Sequence, residues 1–396
     1  MNPDFDIIIA GAGTAGASVA AALARRAVVP PRRIALIGER IASPPSASAD
    51  WDLRVFAISR ASQRLLTGIG AWEAIPSSRR PPYERMCVWD AADAPDSAAA
   101  LRFDCAQLGE PDLGHIVDGA WLQAACLGAA RNAGVTLIES RLTAAEAGVM
   151  SASVELDGAR RLRTSLLIAA DGAGSPLRQQ AGIAWQVHDY HQHGLVAHLH
   201  TERPHQRTAW QRFLPGGPIA WLPLSEGRSS IVWSAPDARA QELLALAPAD
   251  FEREVAIAGG EVLGPCRLDS ARAAFPLRLG QASEYVRPRL VLLGDAAHTV
   301  HPLAGQGLNL GLGDVAALVE VLTGALPESL GEVSVLRRYE RERKAGNRLA
   351  AGAYDGLNRL FSNSNPLAAR ARSAGLAAVG RLPPLRDWFA RIALGD

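Results

Sequence analysis

The feature that most constrains the fold is the glycine-rich stretch GAGTAG at residues 11–16, together with its neighbours. The apolar run Phe5–Ala10 before it predicts a buried strand, and SVAAALARR after it predicts a helix. A second apolar run, IALIGE, ends at Glu39. This order predicts a strand–helix–strand unit of the kind that binds dinucleotides.

Each glycine of that stretch has a physical role in dinucleotide binding. Gly11 permits the tight turn, Gly13 lets a pyrophosphate approach the backbone at the helix N-terminus, and Gly16 lets the helix pack against the sheet. The sequence spacing between the glycine motif and Glu39 is that at which an acid accepts hydrogen bonds from the ribose of an adenosine half. A glycine-rich turn without a ligand is the alternative.

A second motif is LLIAADGAGSPLRQQAG, residues 166–182. The pattern predicts a buried strand that ends at Asp171, a turn through Gly172, and a short helix capped by Ser175. Taken alone, it fits a strand–turn–helix segment without a ligand equally well.

The third motif, GDAAHTVHPLAGQGLNLGLGD at residues 294–314, combines glycines with two aspartates. A strand, RLVLLG, precedes it, and GQG at residues 305–307 opens a predicted helix. A helix N-terminus offers free amides and positive dipole to an anion such as reduced flavin, and bare backbone admits a flat ring. We expect Asp295 and Asp314 to hold the sugar chain of such a cofactor; a glycine-rich loop before a core helix is the alternative.

Composition excludes several classes of protein. A net charge of +1 over 396 residues gives no excess of positive charge of the kind that binds nucleic acid. The four cysteines stand far apart without a CxxC pair, which argues against a disulfide framework or a zinc site and is typical of buried, reduced thiols in the cytoplasm. No apolar run reaches the length of a membrane span, although contact with the inner membrane surface stays open.

The order of the three motifs resembles the flavoprotein aromatic hydroxylases of the para-hydroxybenzoate hydroxylase fold. Further stretches, DLRVFAISRAS at 52–62, RFLPGGPIAWLPL at 212–224 and NRLFSNSNPL in the tail, resemble the ubiquinone-biosynthesis branch of the UbiH/UbiF/VisC type. The resemblance implies an α/β fold in which a GR2-type Rossmann-like FAD-binding domain is interleaved with a mainly antiparallel β-sheet substrate domain and followed by C-terminal helices. It implies FAD-binding segments at 1–75, 100–181 and 273–330, substrate-domain segments at 76–99 and 182–272, and a helical region at 331–396.

The resemblance also assigns residues to the cofactor. Those expected to hold the ADP half and the pyrophosphate region are Gly11, Gly13, Ala15, Gly16, Glu39, Arg40, Gly294 and Asp295. Those expected beside the flavin, or in contact with both FAD and the pyridine nucleotide, are Arg54, Gln123, Asp171, Gly172, Arg178, Pro302, Gly305, Gln306, Gly307, Leu308 and Asn309. Of these, Arg54, Pro302, Gly305, Gln306 and Gly307 are expected to shape the catalytic site.

The implied activity is that of an FAD-dependent monooxygenase that hydroxylates a polyprenylated phenol in ubiquinone biosynthesis through a C4a-hydroperoxyflavin. Because no second nucleotide fingerprint is present, we expect NAD(P)H to dock transiently as the reductant; an electron-carrier protein is the alternative donor. Another class A hydroxylase with a different substrate, or a non-catalytic flavin-bearing subunit of a biosynthetic complex, stays open.

Histidines and aromatic residues have structural alternatives. His298 and His301 could carry protons, but a histidine beside a glycine-rich loop is more often structural. His198 and His200 are predicted to share one face of a strand, and no set of ligands for a metal completes them. The strands of the substrate domain carry Trp210, Phe213, Trp221, Leu222 and Trp233, which are expected as core or as the wall of an apolar pocket.

The C-terminal segment LRDWFARIAL predicts an amphipathic helix after Pro383–Pro384. It would pack against its own domain or contact a membrane surface or a partner. If it contacts membrane, deletion of residues 383–396 should lower the fraction of protein that sediments with lipid vesicles. Unchanged sedimentation would rule out the membrane interpretation.

Overall fold

The computed structural model describes residues 3–46, 48–300 and 306–361. The strands are β1 (Phe5–Ala10), β2 (Ile34–Gly38), β3 (Val55–Ile58), β4 (Pro82–Tyr83), β5 (Arg85–Asp90), β6 (Leu101–Asp104), β7 (Gly114–Asp118), β8 (Thr136–Glu139), β9 (Leu142–Ala147), β10 (Ala152–Leu156), β11 (Arg160–Ala169), β12 (Trp185–Thr201), β13 (Thr208–Leu214), β14 (Gly217–Pro223), β15 (Arg228–Pro236), β16 (Cys266–Leu268), β17 (Ala273–Ala282), β18 (Val286–Arg287), β19 (Leu290–Leu292) and β20 (His298–Thr299). The helices are α1 (Thr14–Arg25), α2 (Arg60–Gly68), α3 (Cys105–Leu108), α4 (Gly119–Asn132), α5 (Pro176–Gln180), α6 (Asp237–Ala245), α7 (Pro248–Ala258), α8 (Gln306–Thr323) and α9 (Val333–Phe361).

A parallel sheet with the strand order β8–β2–β1–β11–β19 brings distant parts of the chain together. Strands β1, β2 and β19 are mostly buried apolar runs, as expected for a sheet covered on both faces, whereas the edge strand β8 is only partly buried. The carboxyl ends of parallel strands meet at one edge of the sheet. The three sequence motifs, which follow β1, β11 and β19, therefore converge at that edge, as the sequence predicts.

Two glycines allow the first two motifs to touch. Gly11 has a φ of +111°, and a Cβ built on it would lie 2.1 Å from the carbonyl oxygen of Ala170. A Cβ on Gly16 would lie 1.9 Å from the carbonyl oxygen of Gly11. Both positions exclude any side chain, because backbone already fills the space: that of Ala170 beside Gly11 and that of Gly11 beside Gly16.

A second, mainly antiparallel sheet is built from β20–β17–β12–β15–β14–β13–β5–β6, with β16 paired to β12; only β13 and β5 pair in parallel among its described strands. The strands expected in the substrate domain are present in it: β13, β14 and β15 carry Trp210, Phe213, Trp221, Leu222 and Trp233. Helices α6 and α7 cover one face, where Trp221 and Trp233 pack with Phe251. Three strands of this sheet, β6, β17 and β20, fall within segments that the proposed boundaries assign to FAD binding, so the boundaries themselves stay a prediction.

A small sheet, β3–β7–β4, links the two larger ones. Trp51, Ala57 and Ile116 from its neighbourhood form a buried apolar cluster with Ala209 and Leu222 of the antiparallel sheet. On its other side, the Asn309 amide of α8 donates to the Ala57 carbonyl at 2.8 Å and accepts from the Ser59 N–H at 3.0 Å. These contacts fix α8 relative to both sheets.

The structure contains the predicted helix cap and most of the predicted buried thiols. Ser175 caps α5 through a hydrogen bond from the Arg178 N–H, which confirms the predicted cap. Cys87, Cys105 and Cys126 are buried free thiols, whereas Cys266 is only half-buried. Among the helices of the described ranges, none is long and apolar enough to cross a membrane. The predicted C-terminal helix at 385–394 lies outside the described residues.

The contrast between Gly11 and Gly13 gives a test of the glycine turn. Gly11→Ala should lower the free energy of unfolding by about 2 kcal/mol or more, because the new Cβ meets backbone at a positive φ. Gly13→Ala should change it by no more than about 1 kcal/mol, because a Cβ at Gly13 meets nothing within 4 Å. Urea unfolding of the two variants without cofactor measures both; equal losses would contradict this account of the turn.

Candidate active site

A cavity of about 500 Å³ opens at the carboxyl edge of the parallel sheet. Its wall on that side comes from all three motifs: Gly13, Thr14, Ala15, Ala170, Gly172, Leu293, Gly294, Asp295, Gly307, Leu308 and Gly311. The antiparallel sheet forms the opposite wall. Motifs that are far apart in the sequence therefore face one shared space.

The N-terminus of α1 is free to bind an anion. Gly13, its N-cap residue, has extended backbone, and no side chain caps the helix. The first amides consequently have no side-chain partner, and the space beside Gly13 is open. Uncapped amides and the positive end of the helix dipole suit a pyrophosphate.

The acid expected to bind ribose lies beyond the main cavity. Glu39 and Arg40 follow β2 and are exposed. Gly38 packs against the glycine turn, where a Cβ would lie 2.5 Å from that of Ala12. Neither Glu39 nor Arg40 lines the cavity. An adenosine half would therefore extend outward along the sheet edge from α1.

The second motif contributes a buried carboxylate with an unused oxygen. Asp171 Oδ2 accepts from the Leu177 N–H at 3.2 Å, whereas its buried Oδ1 has no partner among the described residues. Burial raises the pKa of Asp171, although hydrogen bonds from Ser175 and the Leu177 N–H oppose the rise. Asp171 itself does not line the cavity, although Ala170 and Gly172 on either side of it do. A cofactor hydroxyl that reached this unpartnered acceptor would satisfy it.

Arg178 is committed to the protein itself. It is 2% exposed, and its guanidinium donates to the carbonyls of Ala296 and Ala173, each at 2.8 Å. It also stacks on Trp185 at 3.8 Å from the ring centre. Arg178 therefore ties the second motif to the third and does not line the cavity.

Asp295 faces the cavity at the end of β19. Its side chain is exposed into that space, yet the surrounding protein desolvates it enough to raise the pKa of its carboxyl, and the nearby Asp314 adds to the rise. The preceding Gly294 has a φ of +58°, which turns the chain sharply after the strand. This placement fits the expected contact with a ribityl chain.

The expectation that Asp314 also holds the sugar chain is wrong. Asp314 is fully buried, and its Oδ2 lies 2.5 Å from His298 Nε2 and accepts from the Gly294 N–H at 3.2 Å. Its Oδ1 accepts from Arg343 Nε at 2.7 Å and Asn347 Nδ2 at 3.1 Å. With both oxygens occupied, Asp314 is a structural centre that positions the turn at Gly294.

Electrostatics explain how that carboxylate stays charged. Burial alone would raise the pKa of Asp314, but His298 and Arg343 outweigh it and hold the pKa below its ordinary value. His298, which is 3% exposed, is thereby a structural histidine. His301 lies outside the described residues. The sequence signal for this centre was the spacing of His298 and Asp314 within the third motif; nothing marked Arg343 or Asn347.

The flavin-facing loop is described in part. Pro302 and Gly305 lie outside the described residues, and of Gln306 only the backbone position at the start of α8 is described. Gly307 and Leu308 line the cavity, so the first turn of α8 faces it. The side chain of Asn309 bonds β3 instead, which leaves only its backbone for a cofactor.

Arg54 and Gln123 reach the cavity from the small sheet and from α4. Gln123 Nε2 donates to the Ala12 carbonyl at 3.0 Å and so supports the glycine turn. Arg54 is exposed, and its guanidinium forms no hydrogen bond or ion pair within the described ranges. Its backbone carbonyl accepts from the Gly119 N–H at 3.0 Å, which fixes the position from which the cation extends.

The antiparallel sheet supplies the mostly apolar wall: Gly194, Val196, Gln211, Pro218, Ala220, Leu222, Val232, Ser234, Phe275 and Leu277. This confirms an apolar pocket on one face of the sheet. Of the five bulky residues considered from sequence, only Leu222 lines it. Trp221 and Trp233 point to the opposite face because side chains alternate along a strand.

The histidines of β12 serve structural contacts. His198 is 2% exposed, and its Nε2 donates to the Asp52 carbonyl at 2.9 Å, because a carbonyl can only accept. Burial lowers the pKa of His198, so the neutral form is favoured. His200 lies 3.4 Å from Asp269. Within the described part of the chain, no group of three or more His, Cys, Asp or Glu residues is arranged to hold a metal ion.

Taken together, the residues fit a flavin dinucleotide. An uncapped helix N-terminus suits its pyrophosphate, Asp295 and Asp171 Oδ1 suit hydroxyl groups, and the glycine-lined wall admits a flat ring. The donors and acceptors thus match the chemistry of FAD along its length.

Comparisons with known proteins agree with this site. A family model described as an FAD binding domain matches residues 116–351. The chain is 36% identical to the 3-demethoxyubiquinol 3-hydroxylase of Escherichia coli (strain K12), over 100% of this chain and 99% of that protein. It is also 36% identical to the mitochondrial ubiquinone biosynthesis monooxygenase COQ6 of Homo sapiens, over 98% of this chain and 92% of that protein.

Solved structures show the same fold. The p-nitrophenol 4-monooxygenase PnpA from Pseudomonas putida DLL-E4 superposes with a TM-score of 0.77 at 17% identity, covering 100% of this chain and 99% of that one. PqsL from Pseudomonas aeruginosa, described as a probable FAD-dependent monooxygenase, gives a TM-score of 0.74 at 22% identity, covering 94% and 99%. The architecture is that of FAD-dependent hydroxylases of the para-hydroxybenzoate hydroxylase type, as expected from sequence.

The buried Asp314 centre predicts a large loss of stability on substitution. Asp314→Asn should lower the free energy of unfolding at pH 7 by about 3–5 kcal/mol, because Arg343 is left without its buried counter-charge. Because the folded-state pKa of Asp314 is depressed, its contribution is present above the unfolded-state pKa of about 3.9 and is lost as pH falls further. The difference from wild type in urea unfolding should therefore shrink below about pH 4.

Asp157→Asn is the control, because Asp157 is exposed and, among the residues that the structure describes, forms its ion pair with Arg141 at the surface. It should change stability by no more than about 1 kcal/mol. Similar losses in the two variants would contradict the central position of Asp314.

Proposed function

The chain belongs to the family of FAD-dependent ubiquinone-biosynthesis hydroxylases, and on this premise we propose that it hydroxylates the aromatic ring of a polyprenylated phenol on the way to ubiquinone. The observation that carries the proposal is the single cavity with two unlike walls. One wall offers backbone, amides and acids suited to FAD, and the other is an apolar sheet face suited to an aromatic substrate.

The apolar wall supports a hydrophobic substrate. Most of the residues that line it are aliphatic, and Phe275, which is 44% exposed, borders the cavity. A phenol with an apolar tail could lie against this wall, its ring inside and its tail toward Phe275. The names of the relatives, which refer to demethoxyubiquinol and to ubiquinone biosynthesis, support that class of substrate.

The residues divide the work of binding and orientation. We assign the pyrophosphate to the α1 N-terminus at Gly13 and Ala15, the ribityl chain to Asp295, and the adenosine ribose to Glu39 with Arg40 nearby. The amides from Gly305 to Asn309, with Pro302, would lie against the flavin ring. When bound, FAD supplies activation of O2 after reduction by NAD(P)H.

Arg54 is the charged group best placed to act on the flavin or the substrate. Its guanidinium is free of protein partners in the described structure and reaches the cavity. A permanent cation there would stabilise negative charge on a reduced ring or on a phenolate. A substrate bound against the mostly apolar wall would displace water from the same space, which limits unproductive loss of activated oxygen.

The proposal also covers the reductant of the flavin and the place where the protein works. NAD(P)H would dock transiently, since the described cavity accounts for one dinucleotide and the sequence holds one glycine fingerprint. A substrate with a polyprenyl tail resides in a membrane, so the protein would work at a membrane surface or within a biosynthetic complex.

Anaerobic stopped-flow measurement of the FAD-loaded protein with NADPH tests this proposal. A short-chain prenylated phenol should accelerate flavin reduction, and subsequent mixing with ¹⁸O2 should give a product that carries one labelled oxygen. A prenylbenzene without the hydroxyl group serves as the control and should not be hydroxylated. Flavin reduction that ignores the phenol, with hydrogen peroxide as the sole oxygen product, would contradict the proposal.

A further inference from the structure

The apolar wall carries a polar side chain for which the described protein provides no partner. Gln211 in β13 lines the cavity, and its side-chain amide forms no hydrogen bond within the described ranges. It is half-buried. Its position in the fold is fixed, because β13 pairs with β14 on one side and with β5 on the other.

The residues that share a row with Gln211 on this face of the sheet are apolar. In the strand register, Gln211 lies opposite Ala220, Ala220 opposite Val232, and Val232 opposite Val196. These four residues form one row across the wall of the cavity. A glutamine in this row cannot be satisfied by the side chains beside it.

The free energy of the unpaired Gln211 amide depends on whether the cavity holds water or an apolar ligand. While the cavity holds water, the Gln211 amide is solvated. An apolar ligand that displaced this water would leave the amide unpaired, which costs free energy. A ligand with an oxygen at the matching place avoids that cost and gains a hydrogen bond, so the residue discriminates between the two.

We propose that Gln211 recognises the ring oxygen of the substrate and thereby sets which edge of the ring faces the flavin wall. This inference rests on the proposed function. An amide suits the role because it accepts from a phenol O–H and donates to a phenolate, carbonyl or methoxy oxygen. Gln211 is a specificity-determining residue in this account and takes no part in bond making.

Ser234 is the other polar side chain on this wall, and its position differs. It lies in the next row, opposite Gly194, and is 3% exposed. Its hydroxyl is held close to the strand by a short side chain, whereas the amide of Gln211 extends from the wall by two further bonds. The longer side chain is the better placed to meet a ring that lies in the cavity.

Equilibrium binding to the FAD-loaded protein tests the inference with two ligands, a short-chain prenylated phenol and the matching prenylbenzene. Wild type should bind the phenol about tenfold more tightly, the value of one hydrogen bond. Gln211→Leu should lose this preference and bind prenylbenzene more tightly than wild type does, because no amide is left unpaired. Gln211→Met, which keeps the length of the side chain, should behave in the same way.

Gln186→Leu is the matched control, since Gln186 is exposed on β12 of the same sheet and does not line the cavity. It should retain the tenfold preference. Retention of the preference by both Gln211 variants, or its loss in Ser234→Ala alone, would overturn the inference.

Product formation by wild type is measured separately, so the two proposals can fail independently. A protein that shows the Gln211-dependent preference but yields no hydroxylated product supports recognition by Gln211 and contradicts the proposed function. A protein that hydroxylates the phenol while both Gln211 variants keep the preference contradicts only the inference. Failure of wild type to bind either ligand contradicts both.

Discussion

The buried carboxylate of Asp314 connects the strand end that faces the cavity with the two long helices behind it. It accepts from the Gly294 N–H, contacts His298, and binds Arg343 and Asn347 of α9. A charge buried this completely is stable only when its partners are fixed. The turn that presents Asp295 to the cavity therefore depends on α9, whose described residues contribute nothing to the cavity lining.

Close backbone packing fixes the geometry of the first two motifs, whereas a buried charge fixes the geometry of the third. Gly11 and Gly16 leave room for backbone to lie where side chains would otherwise be; the Ala170 carbonyl occupies that room at Gly11, and the Gly11 carbonyl occupies it at Gly16. Gly13 differs, because the space beside it is open and faces the cavity. One glycine motif thus contains two kinds of position, which serve packing and ligand binding respectively.

Much of the fold and of the candidate site could be predicted from sequence, because the motifs depend on local backbone geometry. Strand, turn and helix around GAGTAG are found as expected, and the convergence of three segments follows from the parallel sheet. The contributions of Arg343, Asn347 and Gln211 could not be predicted, because they depend on long-range packing and strand register. Arg178 and Asp314 show the opposite case: both lie in recognised motifs, yet their charged groups bond to protein.

The central claim is that one cavity holds the flavin against the parallel-sheet edge and the substrate ring against the antiparallel sheet. A crystal structure of the protein with FAD and a prenylated phenol tests it most directly. The account predicts the pyrophosphate at the N-terminus of α1, and the phenol ring between the first turn of α8 and the row containing Gln211 and Val232. A phenol bound outside this cavity, or a flavin ring that lies against the antiparallel sheet, would contradict it.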